Sequence, residues 1–248
     1  MNVVAPSDSG TLDSLRRDLS KRYDIVDREI VIGTTEYLMT MVRDINTLVD
    51  SVDPTAFAVD ERLPYWAELW SSSIGLAGLL MQGSAMKGKA VLELGCGLGL
   101  AGVAAANAGA QVLFTDYEDD ALRFARYNAM RNLGTEAFST VRLKNIDCRV
   151  TEEIGTFDVV IGADILYERK NFGPLLTMLE RCLRPAGYAI ITDPSRAVAL
   201  EFVELARISG FRVDAVSTDV TFNQRTGTVV HYTVRNTRHG DLQRGMLK

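Results

Sequence analysis

The stretch VLELGCGLGLAGVAAA (91–106) decides the fold of this chain. An apolar run ends in closely spaced glycines and continues into a helix-length segment of small residues, as in a β-strand, a tight loop and a helix. Because glycine has no Cβ, such a loop brings bare backbone N–H groups and the positive end of the helix dipole close to a ligand. The stretch therefore predicts a nucleotide-type ligand at the end of a strand.

The glycine spacing allows two ligands. Gly97, Gly99 and Gly102 fit the G-x-G-x-x-G pattern of a dinucleotide site, whereas Gly95, Gly97 and Gly99 follow Glu93 in a different loop. A carboxylate next to the loop opposes a pyrophosphate and suits a ligand with a cationic amino group. S-adenosylmethionine has such an amino group and no phosphate, so Glu93 favours it over NAD. A structural role for Glu93, as an acceptor for loop amides, stays open.

Asp116 supports an adenosine-containing ligand. It ends the apolar run QVLFTD (111–116) and lies 19 residues beyond Gly97. In doubly wound nucleotide sites, an acid at the end of the second strand accepts hydrogen bonds from the ribose hydroxyls. A tight turn with a solvated aspartate is the alternative interpretation.

Apolar strand-like runs alternate with amphipathic helical segments from residue 88 onward. The predicted strands are AVLEL (90–94), QVLFTD (111–116), STVRL (139–143), FDVVIGAD (157–164) and GYAIITD (187–193). Two further runs, 211–220 and 228–236, flank TFNQRTG (221–227) and predict a hairpin. This pattern indicates an α/β fold with a Rossmann-like, doubly wound, mostly parallel seven-stranded sheet that ends in a β-hairpin.

The first part of the chain departs from this alternation. We predict a helix over 13–23, a strand pair over 29–42 that turns at GTT, and a short helix over 45–50. The predicted organisation is an N-terminal helix and hairpin extension (1–62), one large domain (63–237) and a flexible tail (238–248). We expect the extension to cover the site or to help select the acceptor.

Composition excludes several function classes. A net charge of −5 gives no general attraction to nucleic acid. Cys96, Cys148 and Cys182 form no C-x-x-C pair and there are only two histidines, so we expect neither a disulfide framework nor a metal site. No run is long and apolar enough for a membrane span, and the first residues do not resemble a signal peptide. We therefore expect a cytoplasmic protein without a membrane partner.

Four blocks, in this order, carry a resemblance to a known family: 63–80, 91–110, 115–132 and 157–187. Together they resemble the class I, seven-β-strand methyltransferases that use S-adenosylmethionine. Within that class they are similar to family 16, which includes protein lysine methyltransferases and bacterial nicotinamide-methyltransferase-like proteins. The resemblance runs from about Leu63 to Arg212, which is over half of the chain.

The resemblance implies roles for individual residues. The implied cofactor-binding residues are Trp70, Glu93, Gly95, Gly97, Gly99, Asp116, Tyr117, Asp147, Cys148 and Ala163. Asp147 is placed to reach the adenine amino group, and Cys148 stands where many relatives have a tryptophan that stacks on adenine. WSSS (70–73) also departs from the family, in which proline usually follows this tryptophan.

Asp164 and Tyr167 are the candidate catalytic residues, since they match the family's D-x-x-Y motif. An amine acceptor must be neutral when it attacks a methyl group, and a carboxylate or phenol would orient it and help to remove its proton. A helix cap at Asp164, a core position for Trp66 and a nucleophilic Cys96 are the alternatives at these blocks. Without an evident histidine partner, Cys96 is disfavoured as a nucleophile.

The predicted function is S-adenosylmethionine-dependent N-methylation of a protein side chain, with lysine as the favoured acceptor. Three alternatives stay open: a small-molecule amine N-methyltransferase, an NAD-dependent oxidoreductase, and a non-catalytic module that only binds the cofactor. The oxidoreductase rests on the G-x-G-x-x-G match alone, because no hydride-transfer set such as Tyr-x-x-x-Lys is evident. The acceptor is expected to be a protein or a small amine.

Overall fold

The computed structural model describes residues 11–50, 52, 63–150 and 153–237. Its helices are α1 (Leu12–Arg22), α2 (Asn46–Val49), α3 (Ser71–Leu80), α4 (Leu100–Asn107), α5 (Asp119–Asn132), α6 (Thr135–Ser139), α7 (Phe172–Cys182) and α8 (Ala197–Ile208). Its strands are β1 (Ile25–Ile32), β2 (Thr35–Val42), β3 (Ala90–Leu94), β4 (Gln111–Asp116), β5 (Val141–Asn145), β6 (Phe157–Ala163), β7 (Leu183–Asp193), β8 (Phe211–Phe222) and β9 (Arg225–Asn236). Short 3-10 turns lie at Tyr65–Ala67 and Arg169–Asn171.

The main sheet confirms the predicted fold class. Its strand order is β5-β4-β3-β6-β7-β9-β8, with parallel pairing from β5 through β7 and antiparallel pairing of β9 with both of its neighbours. The chain reverses its direction of winding between β3 and β6. In doubly wound sheets, ligands bind at this reversal, beyond the carboxyl ends of the strands.

Helices cover both faces of the sheet. Neighbouring residues of a strand point to opposite faces, so each central strand contributes side chains to both layers. Val91 packs with α3, α4 and α5 on one face, whereas the adjacent Leu92 packs with α7 and α8 on the other. Both residues are fully buried. This two-sided burial explains why the central strands are continuous apolar runs.

Some element boundaries differ from the predictions. The strand predicted at 139–143 begins at Val141, because Thr135–Ser139 forms helix α6. Strand β7 begins at Leu183 and not at the predicted residue 187. Residues 184–186 are exposed, so they carry no apolar pattern from which a strand could be predicted. The hairpin turn is also tighter than the predicted seven-residue connection, because left-handed Asn223 and Gln224 reverse the chain alone.

The predicted N-terminal strand pair is present as a separate two-stranded sheet. β1 and β2 pair antiparallel and turn at Gly33, whose φ is +62°. This N-terminal hairpin packs on α3 and α5, and α1 packs on α5. Residues 53–62 and the tail predicted at 238–248 lie outside the described residues, so the three-part division of the chain stays a prediction.

No helix in the described ranges combines the length and the apolar composition that crossing a bilayer requires.

Candidate functional site

The loop between β3 and α4 has the conformation that its glycines predict. Gly95, Gly97 and Gly99 have φ angles of +60°, +50° and +83°. A Cβ on Gly97 would lie 3.3 Å from the backbone oxygen of Trp66, so the loop also packs too closely for a side chain. The loop thereby presents bare backbone at the carboxyl end of the central strand.

Gly102 serves packing in this fold. A Cβ at this position would overlap Glu93 Oε2 and the Phe114 ring. Gly102 lies in α4, where the helix passes directly over the central strands. Close helix-to-strand contact is therefore a sufficient reason for the third glycine of the G-x-G-x-x-G match, without a bound pyrophosphate.

Glu93 is a buried carboxyl group at the base of this loop, with an exposed fraction of 2%. Burial raises the pKa of Glu93 well above its usual range, and the backbone N–H of Gly102 acts in the opposite direction. Within the described ranges, Glu93 Oε2 has no hydrogen-bond partner. A buried acceptor without a partner is unfavourable by itself, so this atom is suited to a cationic or N–H donor of a ligand.

Asp116 ends β4 beside the same loop. Its Oδ2 accepts a hydrogen bond from the Gly97 N–H at 2.9 Å, and its Oδ1 accepts one from the Glu118 N–H at 3.0 Å. Burial raises the pKa of Asp116 to about 6, although these backbone donors act in the opposite direction. The two bonds fix the orientation of the carboxylate and leave its remaining lone pairs for ligand hydroxyls.

Most of the predicted site residues line a single cavity. Its lining includes Trp70, Glu93, Gly95, Gly97, Gly99, Asp116, Tyr117, Ala163, Asp164 and Tyr167. Trp66 also lines the cavity, while its ring packs edge-on to Tyr23 and tilted against Phe124. Trp66 therefore packs against the core and also lines the cavity, while a functional role for it stays a prediction.

Asp147 and Cys148 do not line this cavity. The Asp147 carboxylate pairs with the Arg149 guanidinium, with a shortest contact of 2.6 Å. Cys148 lines a different cavity, which it shares with Arg181 of α7. Burial raises the pKa of the Cys148 thiol to about 11. The adenine-binding roles implied for both residues stay predictions.

A second cavity, of about 310 Å³, adjoins the first. Four residues line both cavities: Tyr65, Trp70, Asp164 and Tyr167. The Tyr65 ring meets Trp70 and Tyr167 edge to face, with ring centroids 6.0 Å and 5.6 Å apart. The Trp70 indole N–H donates to the Tyr65 carbonyl at 2.9 Å, which fixes these two residues relative to each other. Tyr65, Trp70 and Tyr167 form an aromatic wall between the two cavities.

Arg196, which no sequence pattern indicated as a site residue, completes the second cavity. Its guanidinium contacts Asp164 Oδ1 and lies 3.0 Å from Asp193 Oδ2. It arrives from the loop after β7, and no motif connects it with the D-x-x-Y block. Tyr65, Glu68 and Ser73 also line the first cavity and lie within the recognised 63–80 block, although nothing in their spacing distinguished them.

Asp164 and Tyr167 have different electrostatic environments. Asp164 has a left-handed backbone, with φ of +61°. Burial raises the pKa of Asp164, while the Arg196 charge opposes this change. Burial and the nearby Tyr117 raise the pKa of Tyr167, so its phenol stays protonated at neutral pH. A neutral phenol can orient an acceptor but is a poor base.

Cys96 lies in the loop as a buried thiol, and burial raises its pKa well above the usual range. A thiolate is the reactive form of cysteine, so this environment disfavours a nucleophilic role. His231 bonds through Nε2 to the Thr218 hydroxyl at 2.7 Å, on the terminal strands. The geometry therefore does not support Cys96 as a nucleophile.

Comparison with known proteins identifies relatives of this chain. A family model described as lysine methyltransferase matches residues 63–205. The protein N-lysine methyltransferase METTL21A of Xenopus tropicalis is 36% identical over 112 residues, covering 44% of this chain and 52% of the relative. The EEF1A lysine methyltransferase 3 of Mus musculus is 33% identical over 139 residues, covering 55% and 59%. The matches thus span little more than half the length of these relatives.

A solved structure shows the same fold. The ribosomal protein L11 methylase of Lactobacillus delbrueckii subsp. bulgaricus superposes with a TM-score of 0.53 at 19% identity, covering 68% of this chain and 80% of that one. The family model includes the aromatic wall, the glycine loop, Asp116 and the D-x-x-Y motif. The chain belongs to the lysine methyltransferase family.

Proposed function

We propose that this protein transfers the methyl group of S-adenosylmethionine to the side-chain amine of a lysine in a protein. One observation carries the proposal: the cavity at the glycine loop adjoins a second cavity across a shared wall of Tyr65, Trp70, Asp164 and Tyr167. Cofactor and acceptor would meet at this wall. Family membership and the relatives named as protein lysine methyltransferases support the same acceptor class.

The residues of the first cavity suit S-adenosylmethionine. Glu93 Oε2 offers a buried acceptor for the cationic amino group, and Asp116 offers a fixed carboxylate for ribose hydroxyls. The three left-handed glycines line the same cavity with loop backbone. Trp70, Tyr117 and Ala163 complete the lining.

The chain's own groups prepare the acceptor. When bound, S-adenosylmethionine supplies a methyl group on a sulfonium, which a nucleophile displaces in line. Aromatic rings of the shared wall surround the aliphatic part of the lysine and exclude water, which lowers the pKa of the amine. Asp164 and Tyr167 orient the amine, and the lysine proton leaves to water through the second cavity. With the cofactor bound, the lysine nitrogen would take the methyl group as the S–C bond breaks, and S-adenosylhomocysteine would leave.

A transfer assay tests this function. Purified protein is incubated with methyl-labelled S-adenosylmethionine and a lysate of its source cells that lack this chain, and labelled proteins are hydrolysed to amino acids. We expect the label in Nε-methyl-lysine. Label confined to small molecules would contradict a protein acceptor and support the small-amine alternative. NAD binding without S-adenosylhomocysteine binding would overturn the proposed cofactor.

Binding of S-adenosylhomocysteine should weaken below pH 6. A protonated Asp116 accepts ribose hydrogen bonds poorly, and its pKa is about 6. We expect the affinity to be about tenfold weaker at pH 5 than at pH 7.5, since ionisation falls tenfold per pH unit below the pKa. Calorimetric titrations across this range measure the effect.

The control for this pH dependence is Asp116→Asn, which should bind weakly with a flatter profile. Acid unfolding through this group is not expected: its native pKa lies above the unfolded value, so the native state binds more protons between about pH 4 and 6. Its contribution to stability therefore increases as the pH falls through that window. A constant wild-type affinity from pH 5 to 7.5 would contradict ribose contact by Asp116.

Tyr167 should act through its ring. Because its phenol stays protonated, we expect Tyr167→Phe to keep most of the methyl-transfer rate, whereas Tyr167→Ala opens the shared wall and lowers kcat about 10²-fold through misplacement of the acceptor. Affinity for S-adenosylhomocysteine should change much less than kcat. Equal loss of kcat in both variants would instead show that the hydroxyl itself is required and would contradict action through the ring.

A further inference from the structure

Asn128, in α5, makes three buried hydrogen bonds that join two distant parts of the chain. Its Oδ1 accepts from the Thr40 N–H at 2.8 Å, and its Nδ2 donates to the Thr40 carbonyl at 3.1 Å. The same Nδ2 donates to the Leu98 carbonyl at 3.0 Å. Thr40 lies in the N-terminal hairpin, whereas Leu98 lies within the glycine loop. The side chain is fully buried.

We propose that Asn128 is a positioning residue that couples docking of the N-terminal hairpin to the geometry of the glycine loop. The hairpin thereby contributes to cofactor affinity without lining the cavity at the glycine loop. This inference rests on the proposed function only in taking S-adenosylmethionine as the ligand of the loop. Loop dynamics in the ligand-free protein test the coupling independently.

A neighbouring asparagine makes a similar pair of hydrogen bonds to β2 and provides a comparison for Asn128. Asn132, one helical turn later, accepts from the Leu38 N–H at 2.7 Å and donates to the Leu38 carbonyl at 3.0 Å. Alternate residues of β2 and residues four apart in α5 have similar spacings, about 6.6 Å and 6 Å. The two asparagines therefore cover the free edge of the hairpin as another strand would. Of these two, only Asn128 also bonds to the loop.

An aromatic path links the same two regions. Tyr23, between α1 and β1, packs against Trp66 with ring centroids 5.8 Å apart, and its hydroxyl donates to Asp120 Oδ2 at 2.6 Å. The backbone of Trp66 in turn lies against Gly97, where a Cβ would come within 3.3 Å of its oxygen. Tyr23, which precedes the hairpin, therefore packs on the residue whose backbone lies against the glycine loop.

The test compares Asn128→Ala with Asn132→Ala in the full chain. Both variants remove a two-bond clamp on β2, but Asn132→Ala leaves the connection from Thr40 through Asn128 to Leu98 intact. We expect only Asn128→Ala to speed amide exchange of residues 96–102 in the ligand-free protein. We also expect it to weaken S-adenosylhomocysteine binding about tenfold, the order of one lost hydrogen bond, whereas Asn132→Ala changes it less than twofold.

Should Asn128→Ala fail to fold, Asn128→Ser keeps a small polar group in the buried position and replaces it in the same comparison. Equal effects of both positions on the loop, or no effect of either, would overturn the proposal. If the wild-type protein itself fails to bind S-adenosylhomocysteine, the proposed cofactor is wrong, while the exchange comparison still decides the coupling. Reciprocity provides a further check, since bound ligand should slow exchange in β2 of the wild type.

Discussion

Replacement of Gly97 by arginine should abolish binding of S-adenosylhomocysteine. The φ of +50° is unfavourable for any residue with a Cβ, and that Cβ would press on the Trp66 backbone at 3.3 Å. The Gly97 N–H also orients Asp116, so a shift of the loop disturbs the ribose acceptor as well. We expect affinity to fall at least about 100-fold, or about 2.7 kcal/mol, in calorimetric titrations.

Gly83→Arg is the matched control for this variant. Gly83 has a similar φ of +65°, but no atom of a non-adjacent described residue lies within 4 Å of its Cβ position. The control carries the same added charge and comparable backbone strain, away from the cavity at the glycine loop. Its affinity should stay close to that of the wild type. Retained binding in Gly97→Arg, or equal loss in both variants, would contradict the placement of the ligand at the glycine loop.

Replacement of Gly102 by alanine should destabilise the fold. The added methyl group would overlap the Glu93 carboxyl and the Phe114 ring, which are both buried, so these side chains or the helix would have to move. Overpacking of this kind lowers the free energy of unfolding by about 2 kcal/mol, despite the better helix propensity of alanine. Urea unfolding followed by circular dichroism measures the change.

Gly78→Ala serves as the comparison. Gly78 also lies in a helix, α3, but its Cβ position is 3.8 Å from the nearest side-chain atom, on Ile32. This variant should be as stable as the wild type, or more stable by up to about 1 kcal/mol. Unchanged stability of Gly102→Ala would show that α4 and β3 can separate, and would weaken the packing explanation of the third glycine.

The fold was predictable where burial dictates the residue type. The runs that became β3, β4 and β6 are mostly apolar because helices cover both faces of the sheet, so their predicted bounds were correct to within one residue. Residues 184–186 of β7 and the tip of the final hairpin are exposed, and their residue types give no strand signal. Boundaries there depend on pairing with distant strands, which a local pattern does not contain.

The candidate site was predictable in part for a similar reason. The glycines, Glu93 and Asp116 lie on consecutive elements of the chain. Their short spacing in the sequence therefore predicts that they lie close together in the fold. Arg196 and Asn128 reach their partners only after the chain has folded, across separations of 32 residues to Asp164 and 88 residues to Thr40. Neither belongs to a motif, and only the three-dimensional arrangement reveals them.

The left-handed backbone of Asp164 affects how mutational scans of this protein should be interpreted. Aspartate and asparagine tolerate a φ of +61° because their short polar side chains can bond locally, whereas alanine and glutamate do not share this tolerance. An alanine substitution would therefore combine lost carboxylate chemistry with a conformational penalty, and would overstate the chemical role. Asparagine separates the two, since it removes the charge opposite Arg196 and preserves the backbone. Among natural variants, we expect this position to be restricted first to residues that tolerate a left-handed backbone, and only then by the need for a carboxylate.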